Sequence, residues 1–215
     1  MFQENEWVTR ALNDLLEVAP QNYSYVVLGS TALMSYTANK GYERPIKDID
    51  IIGSQDGSEQ IAKGLKEKGY TQESFVDKAF PFYDHLSKHS ASKYLRFIRD
   101  GKAIEIMITD MPLAGGHVSA DLYPGLGFSL PQWAIQQTVL GNVRFNAVSP
   151  ETLYSIYKVG LRTWGLFVRT RMEQRKKDLA NLEEIVDKNK LTDLVKGTRI
   201  HVGRLNFEVP KILVI

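Results

Sequence analysis

The chain has 215 residues, with 27 basic and 25 acidic side chains, a formal net charge of +2 and 43% hydrophobic composition. That is enough apolar material for a sizeable core in one domain or two small ones, and the charge balance is too even to announce a nucleic-acid binder. Cysteine is absent and there are four histidines, so disulfides and thiolate metal sites are excluded and any metal falls to carboxylates or histidines, which favours hard ions such as Mg²⁺.

No stretch approaches the roughly 18 apolar residues of a membrane span. Residues Met1 to Arg10, with Glu4 and Glu6, lack the basic start and apolar run of a signal peptide, and a cytoplasmic location is expected.

In chain order, Trp7, Val8, Leu12, Leu15, Leu16 and Val18 have the spacing of an amphipathic helix ending at Ala19-Pro20. The run from Tyr23 to Leu28 reads as a strand closed by Gly29-Ser30, with a short helix from Thr31 to Ala38. Residues 39–47, containing Gly41 and Pro45, read as a loop leading into a second strand, Asp48 to Ile52. A helix over 58–68, stopped by Gly69, precedes a strand over 70–76. Two further strands, Lys93 to Arg99 and Ala103 to Thr109, are joined across Asp100-Gly101, a dipeptide that favours a tight hairpin.

Proline and glycine are dense from Pro112 to Pro131, which reads as a long loop or a domain junction. After a hairpin over 134–147, Ser149-Pro150-Glu151 supplies an N-cap, a first-turn proline and an acid suited to the helix dipole. A further helix is expected over 173–188. The expected fold is α+β (α/β): a small mixed-sheet domain over 1–130, followed by a mainly helical part over 131–215.

The chemistry concentrates in Lys47-Asp48-Ile49-Asp50-Ile51-Ile52. Side chains alternate along a strand, so Asp48 and Asp50 share one face while Ile49 and Ile51 point to the core. Two like charges held close together are costly unless a cation neutralises them. In Ile104-Glu105-Ile106-Met107-Ile108 the same alternation offers Glu105 as a third ligand. Three carboxylates on adjacent strands can hold two Mg²⁺ ions roughly 3.5 to 4 Å apart for phosphoryl or nucleotidyl transfer. Each acid taken alone also fits a solvent-facing position on an amphipathic strand. The Gly29-Ser30 turn shifts the balance, because glycine between strand and helix lets backbone approach a phosphate at a helix N-terminus, and Ser30 adds a hydroxyl.

Together, Leu28-Gly29-Ser30-Thr31-Ala32-Leu33 and Asp48-Ile49-Asp50-Ile51 resemble the signature of the polymerase-beta-like nucleotidyltransferase superfamily. Glu105 falls in a later strand, where the third acid of that superfamily belongs. The Gly-Ser-Thr-Ala-Leu form is most similar to the AbiEii toxin-type nucleotidyltransferases and also resembles aminoglycoside nucleotidyltransferases. Ser149-Pro150-Glu151, Leu153, Lys158 and Arg175-Lys176-Lys177-Asp178-Leu179 resemble the helical region of the toxin group.

The resemblance implies a nucleotidyltransferase that moves a nucleoside monophosphate from an NTP to a hydroxyl acceptor: a tRNA 3′ end, a protein or a small molecule. It implies Mg²⁺ on Asp48, Asp50 and Glu105, and a triphosphate bound by Gly29, Ser30 and Lys158 with Asp178 positioning it. It also implies, for a tRNA acceptor, the toxin of a toxin-antitoxin pair with a cognate antitoxin protein. The competing reading is a non-catalytic nucleotide-binding or interaction module of the same fold.

Asp178 draws notice independently: it borders the apolar stripe of its expected helix, four residues before Leu182, and an acid there needs a cation such as Lys158 or Arg162. The basic run Arg169, Arg171, Arg175, Lys176 and Lys177, near Trp164 and Phe167, allows either a nucleic-acid contact or an ordinary charged helix surface. His85, His89, His117 and His201 show no zinc-ligand spacing.

Overall fold

The computed structural model describes residues 2–19, 25–54, 58–73, 93–109, 117–123, 126–131, 134–164, 169–197, 199–202 and 205–208. The first part of the chain contributes α1 (Phe2–Val18), β1 (Tyr25–Leu28), α2 (Gly29–Thr37), β2 (Asp48–Ser54), α3 (Ser58–Glu67), β3 (Thr71–Glu73), β4 (Lys93–Arg99) and β5 (Lys102–Thr109). Then follow β6 (His117–Tyr123), β7 (Leu126–Pro131), β8 (Ile135–Leu140), β9 (Val143–Val148), α4 (Pro150–Trp164), α5 (Arg169–Glu183), α6 (Lys188–Gly197), β10 (Arg199–Val202) and β11 (Leu205–Glu208).

Seven strands form one mixed sheet in the order β3-β4-β5-β2-β1-β9-β8. The β2/β5 and β1/β9 pairs are parallel and the other neighbours antiparallel. This is the expected α+β fold. β1 lies inside the sheet between β2 and β9, and all four of its residues are buried, as its uninterrupted apolar sequence requires of a strand covered on both faces. On β2 and β5, Ile49, Ile51, Ile104 and Ile106 are fully buried, while Asp48, Asp50 and Glu105 are half-buried.

α1 buries Val8, Ala11, Leu12 and Leu15, one helical stripe. It packs against α3, where a Cβ on Gly64 would stand 2.6 Å from Val18 Cβ. α2 packs on β2 and against α4 and α5, and it ends in a 3₁₀ turn closed by the left-handed Gly41. The β4–β5 hairpin turns on Asp100 and Gly101, both with positive φ, as Asp-Gly predicts.

The segment 112–131 is not a loop throughout. β6 and β7 pair antiparallel within it and join β10 and β11 in a second, four-stranded sheet. Leu126, Phe128 and Leu130 alternate with Gly127 and Ser129, a strand period that the flanking glycines and prolines obscured.

The helix expected over 173–188 is instead α5, which starts earlier and stops at Glu183, followed by α6. The break has a local cause: Asp187 Oδ1 accepts from the backbone N–H of Asn189 at 2.8 Å and of Lys190 at 3.3 Å, capping a new helix. Ser149 caps α4 as expected, its Oγ accepting from Thr152 N–H at 3.2 Å. The expected strand over 70–76 begins at Thr71, and its residues 74–76 lie outside the described residues. Among the described residues no helix is long and apolar enough to cross a membrane.

Candidate active site

Parallel pairing of β2 with β5 sets Asp50 directly beside Glu105. The two-residue period of β2 puts Asp48 on the same face. One carboxylate oxygen from each of the three lies within 4.8 Å of the others. Such spacing among half-buried acids fits a shared divalent cation with oxygen ligands. Glu105 also meets a counter-charge, since Arg96 Nε stands 3.4 Å from Glu105 Oε1, on the residue facing it across the hairpin.

Beside the acids lies the start of α2. Leu28 pairs with Asp50 in the β1/β2 register, and Gly29 follows with φ +67, a conformation that glycine adopts without the steric penalty of a side chain. A Cβ there would come within 2.0 Å of Asp50 Oδ2. The carboxylate therefore occupies the space a side chain would need. Leu28 gives α2 no side-chain cap, and a helix start of this kind favours negative charge through its first N–H groups and dipole. Ser30 is buried, and among the described residues its hydroxyl makes no hydrogen bond. Thr31 Oγ1 donates to the Asp48 carbonyl at 3.4 Å, linking the helix start to the acid strand.

Asp178 is 1% exposed. Its cation is Arg44, not Lys158: Arg44 Nη1 is 2.5 Å from Asp178 Oδ2. The Tyr42 hydroxyl donates to Asp178 Oδ1 at 2.7 Å, and Gln174 Nε2 donates to that same oxygen at 3.1 Å and to the Tyr42 oxygen at 2.8 Å. Burial, followed by the bond to Asp178, pushes the Tyr42 hydroxyl up to about 12. The segment 39–47, read from sequence as a loop leading into β2, is thus fastened to α5 at Tyr42 and Arg44, the latter four residues before Asp48.

Lys158 donates to the Tyr154 hydroxyl at 3.0 Å, with its ammonium 5.0 Å from the Tyr154 ring centre. Arg175 stacks on Tyr157, its guanidinium carbon 3.7 Å from the ring centre. Lys176 pairs with Glu173 at 2.8 Å on the exposed side of α5. The side chains of Arg162, Trp164, Arg169, Arg171, His117 and His201, together with Phe167, His85 and His89, lie outside the described residues.

Sequence reasoning missed Arg96, Arg44, Tyr42, Gln174 and Tyr157. Arg96 was within reach: a turn at Asp100-Gly101 that pairs Arg99 with Lys102 necessarily pairs Arg96 with Glu105. Tyr42 and Arg44 had no signal, because they lie in irregular chain whose partner is 134 or more residues away.

No protein-family model matches the chain, and no curated relative matches it in sequence. Its fold is similar to that of the antibiotic-resistance factor ANT(2'')-Ia in complex with adenylyl-2''-tobramycin, with a TM-score of 0.58 and 11% identity over 89% of this chain and 94% of that one. It is also similar to the lincomycin-bound lincosamide antibiotic adenylyltransferase LnuA, with a TM-score of 0.55 and 15% identity over 86% of this chain and 98% of that one. The chain therefore has the fold of nucleotidyltransferases.

Proposed function

We propose that the protein is a Mg²⁺-dependent nucleotidyltransferase that moves a nucleoside monophosphate from an NTP to a hydroxyl acceptor. The observation that carries this reading is the convergence of Asp48, Asp50 and Glu105 within 4.8 Å beside the uncapped, glycine-initiated start of α2. A cation site and an anion site lie side by side, as a metal–triphosphate substrate requires. The likeness to adenylyltransferases in fold supports the same class of reaction.

In the transfer, an acceptor oxygen forms a bond to the α-phosphorus while the bond from that phosphorus to the leaving pyrophosphate breaks. Asp50 or Glu105 accepts the hydroxyl proton, directly or through water. The backbone at Gly29 and Ser30 holds the triphosphate, Lys158 balances its charge, and Asp178 orders the site through Tyr42 and Arg44. One or two Mg²⁺ ions held by the three acids would supply electrostatic stabilisation of the triphosphate and of the activated hydroxyl.

A small-molecule hydroxyl is the acceptor favoured by the fold likeness, since both similar proteins are described with an antibiotic or its adenylyl derivative. A tRNA 3′ end is the second reading, favoured by the basic residues of α5; it makes the protein a toxin with a cognate antitoxin and predicts growth arrest on induction. Harmless high-level expression would count against that second reading.

The direct test is pyrophosphate release and labelled-nucleotide transfer with each NTP and Mg²⁺, for wild type and for Asp48→Ala with Asp50→Ala. Loss of turnover in a folded double variant is expected. NTP binding without any transfer by wild type would instead identify a non-catalytic nucleotide-binding module, and undiminished turnover in the variant would refute the metal assignment.

A further inference from the structure

α5 carries, one turn before Asp178, a cation stacked on a buried tyrosine of α4. That cation, Arg175, is half-buried. Among the described residues it has no carboxylate partner. Its guanidinium lies flat enough on Tyr157 to bring the central carbon 3.7 Å from the ring centre, and Tyr157 is only 3% exposed. A guanidinium stacked on a buried ring loses rotamer freedom in advance and turns its N–H edge toward an anion with two acceptor oxygens.

The surroundings define which anion. Tyr157 is close enough to feel Arg175, Asp178, Arg44 and Asp50, in that order after burial itself. Asp178 is neutralised by Arg44 at 2.5 Å, so Arg175 is left as surplus positive charge where α5 meets α4, a helix that also packs against α2. The acid triad, with Arg96 on Glu105, concentrates carboxylates at the start of α2. Metal on the acids and phosphate oxygens on the arginine would cancel both at once.

We propose that Arg175, braced by Tyr157, binds the phosphate tail of the nucleotide and makes the site select triphosphates over monophosphates. This rests on the nucleotidyltransferase reading above and adds to Lys158 a second, pre-organised cation. Arginine suits the task because its fork of N–H donors can engage two phosphate oxygens together.

The experiment compares wild type, Arg175→Ala, Arg175→Lys and Tyr157→Phe for Mg²⁺-dependent binding of ATP, CTP, GTP and UTP and of the matching monophosphates. Thermal melting in the absence of ligand checks the fold. Arg175→Ala is expected to weaken binding of the preferred triphosphate by about ten- to a hundredfold, the loss of one or two charge-assisted hydrogen bonds, while its monophosphate binds as to wild type. Arg175→Lys should recover part of that loss, and Tyr157→Phe, which keeps the ring, should retain most of the selectivity. Wild-type triphosphate affinity in Arg175→Ala, or an equal loss for tri- and monophosphates, would overturn the assignment. Absence of Mg²⁺-dependent NTP binding by wild type would overturn the parent reading, and this one with it, before any variant is compared.

Discussion

Gly29 and Asp50 occupy one space: a single carbon added to Gly29 would stand 2.0 Å from the Oδ2 atom of Asp50. The fit sets the start of α2 tightly against the acid strand. Gly29 also has φ +67, where an L side chain costs about 1–2 kcal/mol.

Gly29→Ala is therefore expected to lose both stability and activity, for separable reasons. The left-handed backbone accounts for about 1–2 kcal/mol in urea unfolding. The displaced Asp50 carboxylate accounts for a fall in turnover of about a hundredfold, the scale of a misplacement of about 1 Å at a reacting centre. An Ala variant that loses stability but keeps wild-type turnover would show that Asp50 can retreat without harm.

The acid triad should behave as a site held at some cost to the metal-free fold. With Asp48, Asp50 and Glu105 offering oxygens within 4.8 Å of one another, and with Arg96 already facing Glu105, neutralising Asp48 relieves repulsion among the three carboxylates. Asp48→Asn should match or exceed wild-type melting temperature without metal, by up to about 1 kcal/mol. It should lose the extra stabilisation that Mg²⁺ or Mn²⁺ gives wild type. If metal stabilises both proteins equally, the ion binds elsewhere.

Much of this site was legible before any coordinates. Alternation along 48–52 and 104–108 placed three acids opposite a buried isoleucine face, because a strand's period fixes which way each side chain points. Gly29 announced a strand-to-helix turn, though the reason that only glycine fits, the carboxylate of Asp50, depends on a strand pairing that no local pattern encodes. For Asp178, the need for a cation was readable from its place on the helix stripe. The identity of that cation was not: Arg44 comes from irregular chain, where position is set by tertiary contact and leaves no periodic trace. The β6–β7 pair was hidden for the opposite reason, as glycines and prolines signalled loop within a true two-residue alternation.

Alkaline stability follows from the buried tyrosines. Burial pushes Tyr25 to about 12 from its ordinary 10.0, and Tyr42 likewise rises to about 12, while Tyr36, Tyr70 and Tyr157 are raised mainly by burial too. A phenol held protonated in the fold ionises more readily once unfolded. Its contribution is thus fully present below pH 10 and is lost as pH rises from 10 through 12. The slope is about 1.4 kcal/mol per pH unit for each well-buried phenol. Tyrosinate absorbance should therefore rise in one step together with loss of helical circular dichroism. Gradual ionisation with the helix signal intact would mean that these hydroxyls reach solvent in the native state.

The fastening of segment 39–47 to α5 gives a prediction with a built-in asymmetry. Asp178 is 1% exposed at its side chain and Arg44 23%. Removing the arginine strands a charge in the interior, whereas removing the aspartate leaves a cation that can turn to water. Arg44→Met should therefore cost about 3–5 kcal/mol. Asp178→Asn, which keeps the shape and can still accept from Tyr42 or Gln174, should cost about 1–2 kcal/mol. The double variant should fall well short of the sum, because the buried charge is no longer there to be stranded. Since Asp48 begins β2 only four residues beyond Arg44, Asp178→Asn should also raise the Mg²⁺ concentration needed for half-maximal turnover more than it raises KM for the NTP. Urea unfolding and a metal titration of activity check the two parts separately. Equal costs for the two single variants would remove the buried-charge argument, and an unchanged metal requirement would confine the pair to holding the fold.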